Sequence, residues 1–174
     1  MKMEKDALLQ GRYQIEGLIG EGGMSYVYKA KDTKLGRIVA IKVLKEQYAE
    51  DKEFISKFQE EARSAAKLNH LNIVSTFDTV DEGNLHFIVM ELVEGVTLKN
   101  FIQRKGRLSE RESIGIALQL IDGIDIAHKM GVIHRDIKPQ NIIISTEGVV
   151  KIADFGIAGM ATQETANTAV MGSV

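Results

Sequence analysis

The stretch His134-Arg135-Asp136-Ile137-Lys138-Pro139-Gln140-Asn141 puts a carboxylate, a cation and a side-chain amide within a few residues of one another. Asp136 is a candidate to take a proton from a hydroxyl, and Lys138 to neutralise a phosphoryl group. Asn141 offers a carbonyl oxygen of the kind a hard cation prefers. A second carboxylate follows in Asp154-Phe155-Gly156, after the apolar runs Ile142-Ile143-Ile144 and Val149-Val150-Lys151-Ile152. The order is a polar loop, a hairpin and then a carboxylate.

Working back towards the N-terminus, Ser109-Glu110-Arg111-Glu112 has the form of a capping box. The helix it opens carries Ile114, Ala117, Leu120, Ile121 and Ile124 at helical spacing, so these are expected to face the core. His128 and Lys129 in its last turn and Gly131 just beyond it close the helix. The chain is thereby delivered to Val132-Ile133-His134. Thr97 is a candidate cap for a shorter helix ending near Lys105-Gly106. Before it, Glu91-Leu92-Val93-Glu94-Gly95 breaks the periodicity and reads as a connector.

The first ninety residues are mostly strands. Residues 13–19 alternate apolar and polar, which is strand periodicity. Gly20-Glu21-Gly22-Gly23-Met24-Ser25-Tyr26-Val27 follows, and the β-like run after it makes a strand–turn–strand. Glycines there allow a tight turn and a close approach of backbone amides to phosphates. Taken alone, a glycine repeat is no more than a hairpin turn. A dinucleotide fingerprint would need a helix straight after the glycines, and a Walker loop would need Gly-Lys-Ser/Thr. Neither is present.

Arg37-Ile38-Val39-Ala40-Ile41-Lys42-Val43-Leu44 is a third strand, with Ala40 and Lys42 on one face. Residues 53–68 place Phe54, Phe58, Ala62, Ala65 and Leu68 on one helical face, with Glu61 beside it. Glu61 or Glu60 is positioned to meet Lys42, and spacing alone prefers neither. Residues 73–77 and 85–90 read as two further strands, joined through Asp81-Glu82-Gly83-Asn84. Residues 1–12 are polar and read as a loosely held lead-in.

Composition bounds the possibilities. With 174 residues the chain can bury one good core or two small lobes. A formal net charge of -2 gives no basic field for nucleic acid or an anionic membrane. The absence of cysteine excludes disulfides and thiolate metal sites and fits a reducing compartment. No apolar run reaches the roughly 18 residues of a membrane helix, and the charged start lacks a signal-peptide core.

Taken in order, these motifs resemble the eukaryotic-like Ser/Thr protein kinases, most closely the bacterial group that often carries PASTA modules. The resemblance rests on Gly20 to Val27, Val39-Ala40-Ile41-Lys42, Val89-Met90-Glu91, His134 to Asn141, Ala153-Asp154-Phe155-Gly156 and Val170-Met171-Gly172-Ser173-Val174. It implies an α+β, bilobal fold: a five-stranded antiparallel N-lobe sheet with one helix, and a truncated, mainly helical C-lobe. The divisions it suggests are a lead-in at 1–12, an N-lobe at 13–90, a hinge at 91–95 and a partial C-lobe at 96–174. ATP and Mg2+ are the implied cofactors. Gly20, Gly22, Gly23 and Ser25 would cover the phosphates, with Ile19, Val27, Ala40 and Ile143 about the adenine. Met90 would be the gatekeeper, and Glu91 to Val93 the hinge. Lys42 would hold the phosphates and pair with Glu61. Asp136 would serve as the base and Lys138 would neutralise the transferred group, with Asn141 and Asp154 on the metal. His134 and Phe155 would be spine residues. Arg135 would answer phosphorylation at Thr162, Thr165 or Thr168.

The resemblance implies phosphoryl transfer to protein Ser/Thr hydroxyls, including the chain's own loop, with no nucleic-acid partner. A homodimer through the N-lobe and a cytoplasmic location go with it; any membrane anchor lies outside the 174 residues. The alternative is a Mg–ATP-binding module without transfer. Three departures stand out: Ser25 at the third glycine, Leu71 where the family usually has proline, and no Ala-Pro-Glu segment before Val174. The last leads to the expectation of exposed apolar helix surface.

Overall fold

A computed structural model describes residues 2–155, so Gly156, the tail and the candidate threonines Thr162, Thr165 and Thr168 lie outside the described residues. Two antiparallel sheets organise those residues. The larger contains β1 (Leu8–Leu9), β2 (Tyr13–Glu21), β3 (Ser25–Asp32), β4 (Arg37–Leu44), β5 (Thr76–Glu82) and β6 (Leu85–Glu91), in the order β1-β2-β3-β4-β6-β5. The smaller joins β7 (Gly95–Thr97), β8 (Ile142–Ser145) and β9 (Val150–Ile152) in chain order.

Period-two patterning gives the larger sheet its two faces. Val39, Ile41 and Val43 point into a core with Tyr13, Ile15, Tyr28, Phe87 and Val89. Leu44, on the face of Ala40 and Lys42, packs with Ile88 against helix α1 (Lys52–Ala66) through Phe58 and Ala62. Asp51 caps α1 by accepting from the Glu53 amide. Burying Phe58 and its neighbours contributes on the order of 2 kcal/mol per large side chain.

Below the connector, Thr97 caps α2 (Leu98–Lys105), accepting from the Asn100 amide at 3.0 Å. Helix α3 (Glu110–Lys129) opens on the expected capping box, with Ser109 and Glu112 each holding the other's backbone. Gly131, at φ 73°, turns the chain out of α3 in the left-handed region that glycine tolerates.

Four expectations need adjusting. The sheet has six strands, because Leu8–Leu9 adds an edge strand against Tyr13 and Gln14. The lead-in is therefore tied down: the Met3 amide donates to the Tyr28 hydroxyl at 3.0 Å and the Asp6 amide to the Ile15 carbonyl at 2.8 Å. The fifth strand begins at Thr76, since residues 72–74 pair with β9 instead, through a parallel Ile73–Ile152 bridge. Helix α3 turns Leu120, Ile124 and Ala127 inward, as Gly123 lets it approach Asn72 and Ile152. Ile114, Ala117 and Ile121 face outward. That helix carries apolar residues on both its inward and its outward face, so its periodicity alone did not choose between them.

Candidate functional site

The catalytic-type residues converge between the two sheets. Strand register puts Lys42 between Val27 and Ile88, and Ala40 opposite Met90. Lys42 Nζ lies 2.6 Å from Glu61 Oε1 on α1 and 3.2 Å from Asp154 Oδ1. Glu61 is buried and Glu60 is exposed, which decides between the two. Burial works to lower the Lys42 pKa, but Asp154 and Glu61 outweigh it and hold the ammonium above its ordinary value. Burial pushes the Glu61 carboxyl up, to about 7, against the pull of Lys42.

The glycine stretch is the β2–β3 hairpin. Gly20 pairs with Val27 and Glu21 with Tyr26, and the Gly22 amide donates to the Ser25 carbonyl at 2.8 Å. Ser25 is buried within β3 and pairs with Leu44, so the turn is made at residues 22–24 and needs no glycine at Ser25. Behind the hairpin, Val93, Ile143, Val74 and Ala153 form one buried cluster with Met90 packed against it. That cluster is an apolar floor shared by the connector and the β8–β9 hairpin.

The loop from His134 to Asn141 is held by its own side chains. The Asp136 amide donates to His134 Nδ1 at 3.1 Å, while His134 Nε2 lies 2.8 Å from the Ala153 carbonyl. With the proton on Nε2, the ring accepts from Asp136 and donates to Ala153 at the same time. The ring meets Phe155 edge-on at 4.7 Å. Asn141 Nδ2 donates to the Asp136 carbonyl at 2.9 Å and to Asp136 Oδ2 at 3.1 Å. Lys138 Nζ lies 2.8 Å from the same Oδ2. The Ala153 amide donates to the Asn141 carbonyl at 2.9 Å, which places the Asn141 and Asp154 segments side by side. Arg135 and Asp154 both hold positive φ, at 65° and 59°, a conformation that costs a non-glycine residue on the order of 1 kcal/mol.

Chemically, the arrangement offers a carboxylate flanked by a lysine and an amide, and a second carboxylate flanked by a buried lysine. Among the described residues no group of three or more His, Cys, Asp or Glu side chains is arranged to hold a metal by itself. Asn141 and Asp154 supply oxygen donors of the type that suits magnesium, which takes its other positions from water and phosphate.

Two residues outside the sequence-derived site also matter. Asn72 donates to the Val150 carbonyl at 2.8 Å and to Gln119 Oε1 at 3.1 Å, tying the segment before β5 to β9 and α3. Lys151 meets the Glu91 carboxylate at 2.9 Å. The sequence reading passed over Asn72 and Lys151, although a lysine inside the apolar run Val149-Val150-Lys151-Ile152 is the kind of signal that marks a buried cation in need of a partner.

The protein kinase domain family profile matches residues 13–174. The chain is 48% identical over 168 residues to the Bacillus subtilis serine/threonine-protein kinase PrkC, covering 95% of this chain and 26% of that protein. It is 47% identical over 155 residues to Mycobacterium tuberculosis PknA, covering 86% and 36% respectively. The crystal structure of the Mycobacterium tuberculosis PknI kinase domain superimposes with a TM-score of 0.76 at 27% identity, over 91% of this chain and 64% of that one. The chain spans about a quarter to a third of the length of these curated relatives.

Proposed function

From the premise that the chain belongs to the protein kinase family, we propose that it supplies the nucleotide site and catalytic loop of a Ser/Thr protein kinase. The observation that carries this reading is the junction of Lys42, Glu61 and Asp154, facing a loop in which Asp136, Lys138 and Asn141 hold one another.

In this reading ATP lies between the sheets. Ile19, Val27, Ala40 and Ile143 enclose adenine, Met90 is the gatekeeper and the Glu91–Val93 backbone binds the base. Gly20, Gly22, Gly23 and Ser25 cover the phosphates, and Lys42 grips them. Asn141 and Asp154 hold magnesium, which offsets phosphate charge when bound. Asp136 orients the acceptor hydroxyl and takes its proton as the oxygen bonds to the γ-phosphorus. The bond from that phosphorus to the β–γ bridging oxygen breaks, and ADP leaves. Lys138 moves from Asp136 to the transferred group. Such transfer depends on positioning and charge neutralisation rather than covalent help from the protein.

The acceptors in this reading are protein Ser and Thr hydroxyls, including Thr162, Thr165 and Thr168. The lobe divisions are 13–90 and 96–174 about a hinge at 91–95. None of the described helices is long and apolar enough to cross a membrane. A cytoplasmic site of action and pairing of two copies through the N-lobe complete the proposal.

The test uses the full-length protein with γ-labelled ATP and magnesium. Wild type incorporates label at threonine, and Asp136→Asn lowers the rate by about a thousandfold or more. Undiminished label in Asp136→Asn removes the base assignment. Tight Mg–ATP binding without any label in wild type would leave a binding module instead.

A further inference from the structure

We propose that Lys151 is a positioning residue for the adenine end of the nucleotide site, acting through the Glu91 side chain. The proposal rests on the reading of this cleft as an ATP site. Lys151 is buried, at 9% exposure, as the central residue of β9 between Val150 and Ile152. An ammonium there is costly unless paired. Its Nζ lies 2.9 Å from Glu91 Oε1 and 3.1 Å from Oε2, so both carboxylate oxygens are engaged.

Glu91 is more than a counter-charge. Its Oε2 also accepts from the Ser75 amide at 3.2 Å, and its own amide donates to the Ser75 carbonyl at 2.8 Å. As the last residue of β6 it pairs with Val39 in the larger sheet. One carboxylate therefore ties three pieces of chain: the end of β6, the segment before β5, and β9. The backbone of that same residue is the first hinge element against adenine. Asp154 stands three residues beyond Lys151, just past the end of β9, the strand being held. The ion pair fixes the hinge relative to the strand that leads into the Asp154 segment. Packing alone would be served as well by a methionine of similar length, so what the charge adds is direction at Glu91.

The experiment titrates the chain with Mg–ATP, adenosine and Mg–tripolyphosphate by calorimetry. Lys151→Met is expected to raise the dissociation constants of Mg–ATP and adenosine about tenfold and to leave tripolyphosphate unchanged. Lys151→Arg should restore adenosine binding. Glu91→Gln should match Lys151→Met, and the double variant should be no worse than either, as for two members of one pair. Glu91→Gln, which keeps the side-chain shape, carries the test if Lys151→Met does not fold. Unchanged adenosine affinity in the variants overturns the proposal. So does equal weakening of all three ligands, which marks a purely structural pair. A wild-type chain that binds none of the three overturns the ATP-site reading and the proposal with it.

Discussion

Lys42 Nζ and Glu61 Oε1 meet at 2.6 Å across the interface of β4 and α1, both side chains almost wholly out of solvent. The contact makes the position of α1 part of the proposed nucleotide site, because a shift of the helix would take the Glu61 carboxyl away from the buried Lys42 ammonium. Glu61→Gln keeps the shape but removes the charge. It should weaken Mg–ATP binding about tenfold, whereas Glu60→Gln on the exposed face should have no measurable effect. Calorimetric titration of both variants checks this; equal losses would detach α1 from nucleotide binding.

The same carboxylate gives a pH dependence. Burial sets Glu61 at about 7 in the folded chain against an ordinary value of 4.5. A raised carboxyl value means the folded state holds its proton more tightly than the unfolded state. Its contribution to stability is complete below 4.5 and is lost as pH rises through about 7. The melting temperature of wild type relative to Glu61→Gln should therefore fall between about pH 5 and about pH 8. A gap that stays constant across that range contradicts the assignment.

His134 spans two backbone segments with one ring, accepting from Asp136 and meeting the Ala153 carbonyl. His134→Phe preserves the edge contact with Phe155 but removes both hydrogen bonds and leaves the Ala153 carbonyl without this partner. A loss of about 2 kcal/mol is expected in urea unfolding. The Asp136 loop should also become more open to amide exchange. Full stability in this variant would show that ring packing alone holds the loop.

Much of this site could be read from the chain because its elements are short and sharply punctuated. The capping box at Ser109 and the glycine turn before Ser25 each announced a boundary, and alternation along 37–44 put Lys42 on the correct face. What the sequence left open depends on packing between distant segments. Glu60 and Glu61 differ only in how α1 rotates against β4. The outward face of α3 carries Ile114, Leu118 and Ile121 while Leu120 and Ile124 turn inward, so its apolar residues do not choose between the two faces. The pairing of Ile73 with Ile152 joins residues far apart in the chain, and no local periodicity reports it.

Two glycines of α3 offer a contrast within one helix. A Cβ at Gly115 would meet nothing within 4 Å, so Gly115→Ala should stabilise the chain by up to about 1 kcal/mol through helix propensity. A Cβ at Gly123 would sit 3.1 Å from both the Asn72 carbonyl oxygen and Ile152 Cδ1. Gly123→Ala should cancel its propensity gain by pushing α3 away from β9, at a net cost of about 1–3 kcal/mol. Thermal melts of the two variants should shift in opposite directions; a shared upward shift would mean that the helix moves off β9 without penalty.

Ile114, Leu118 and Ile121 lie one helical turn apart along the outward side of α3, each more than half exposed. They form an apolar stripe of the sort that drives association unless another surface covers it. Because their side chains are out of contact with the clusters that hold α3 to β8 and β9, replacing them tests association separately from folding. The triple variant Ile114→Lys, Leu118→Gln, Ile121→Lys should lower the apparent mass of the chain in light scattering at high concentration. Its melting temperature should stay within about 2 °C of wild type, since exposed substitutions rarely exceed ±0.5 kcal/mol. A large fall in melting temperature would show that the stripe is buried by the chain itself. An unchanged scattering mass would show that it does not associate.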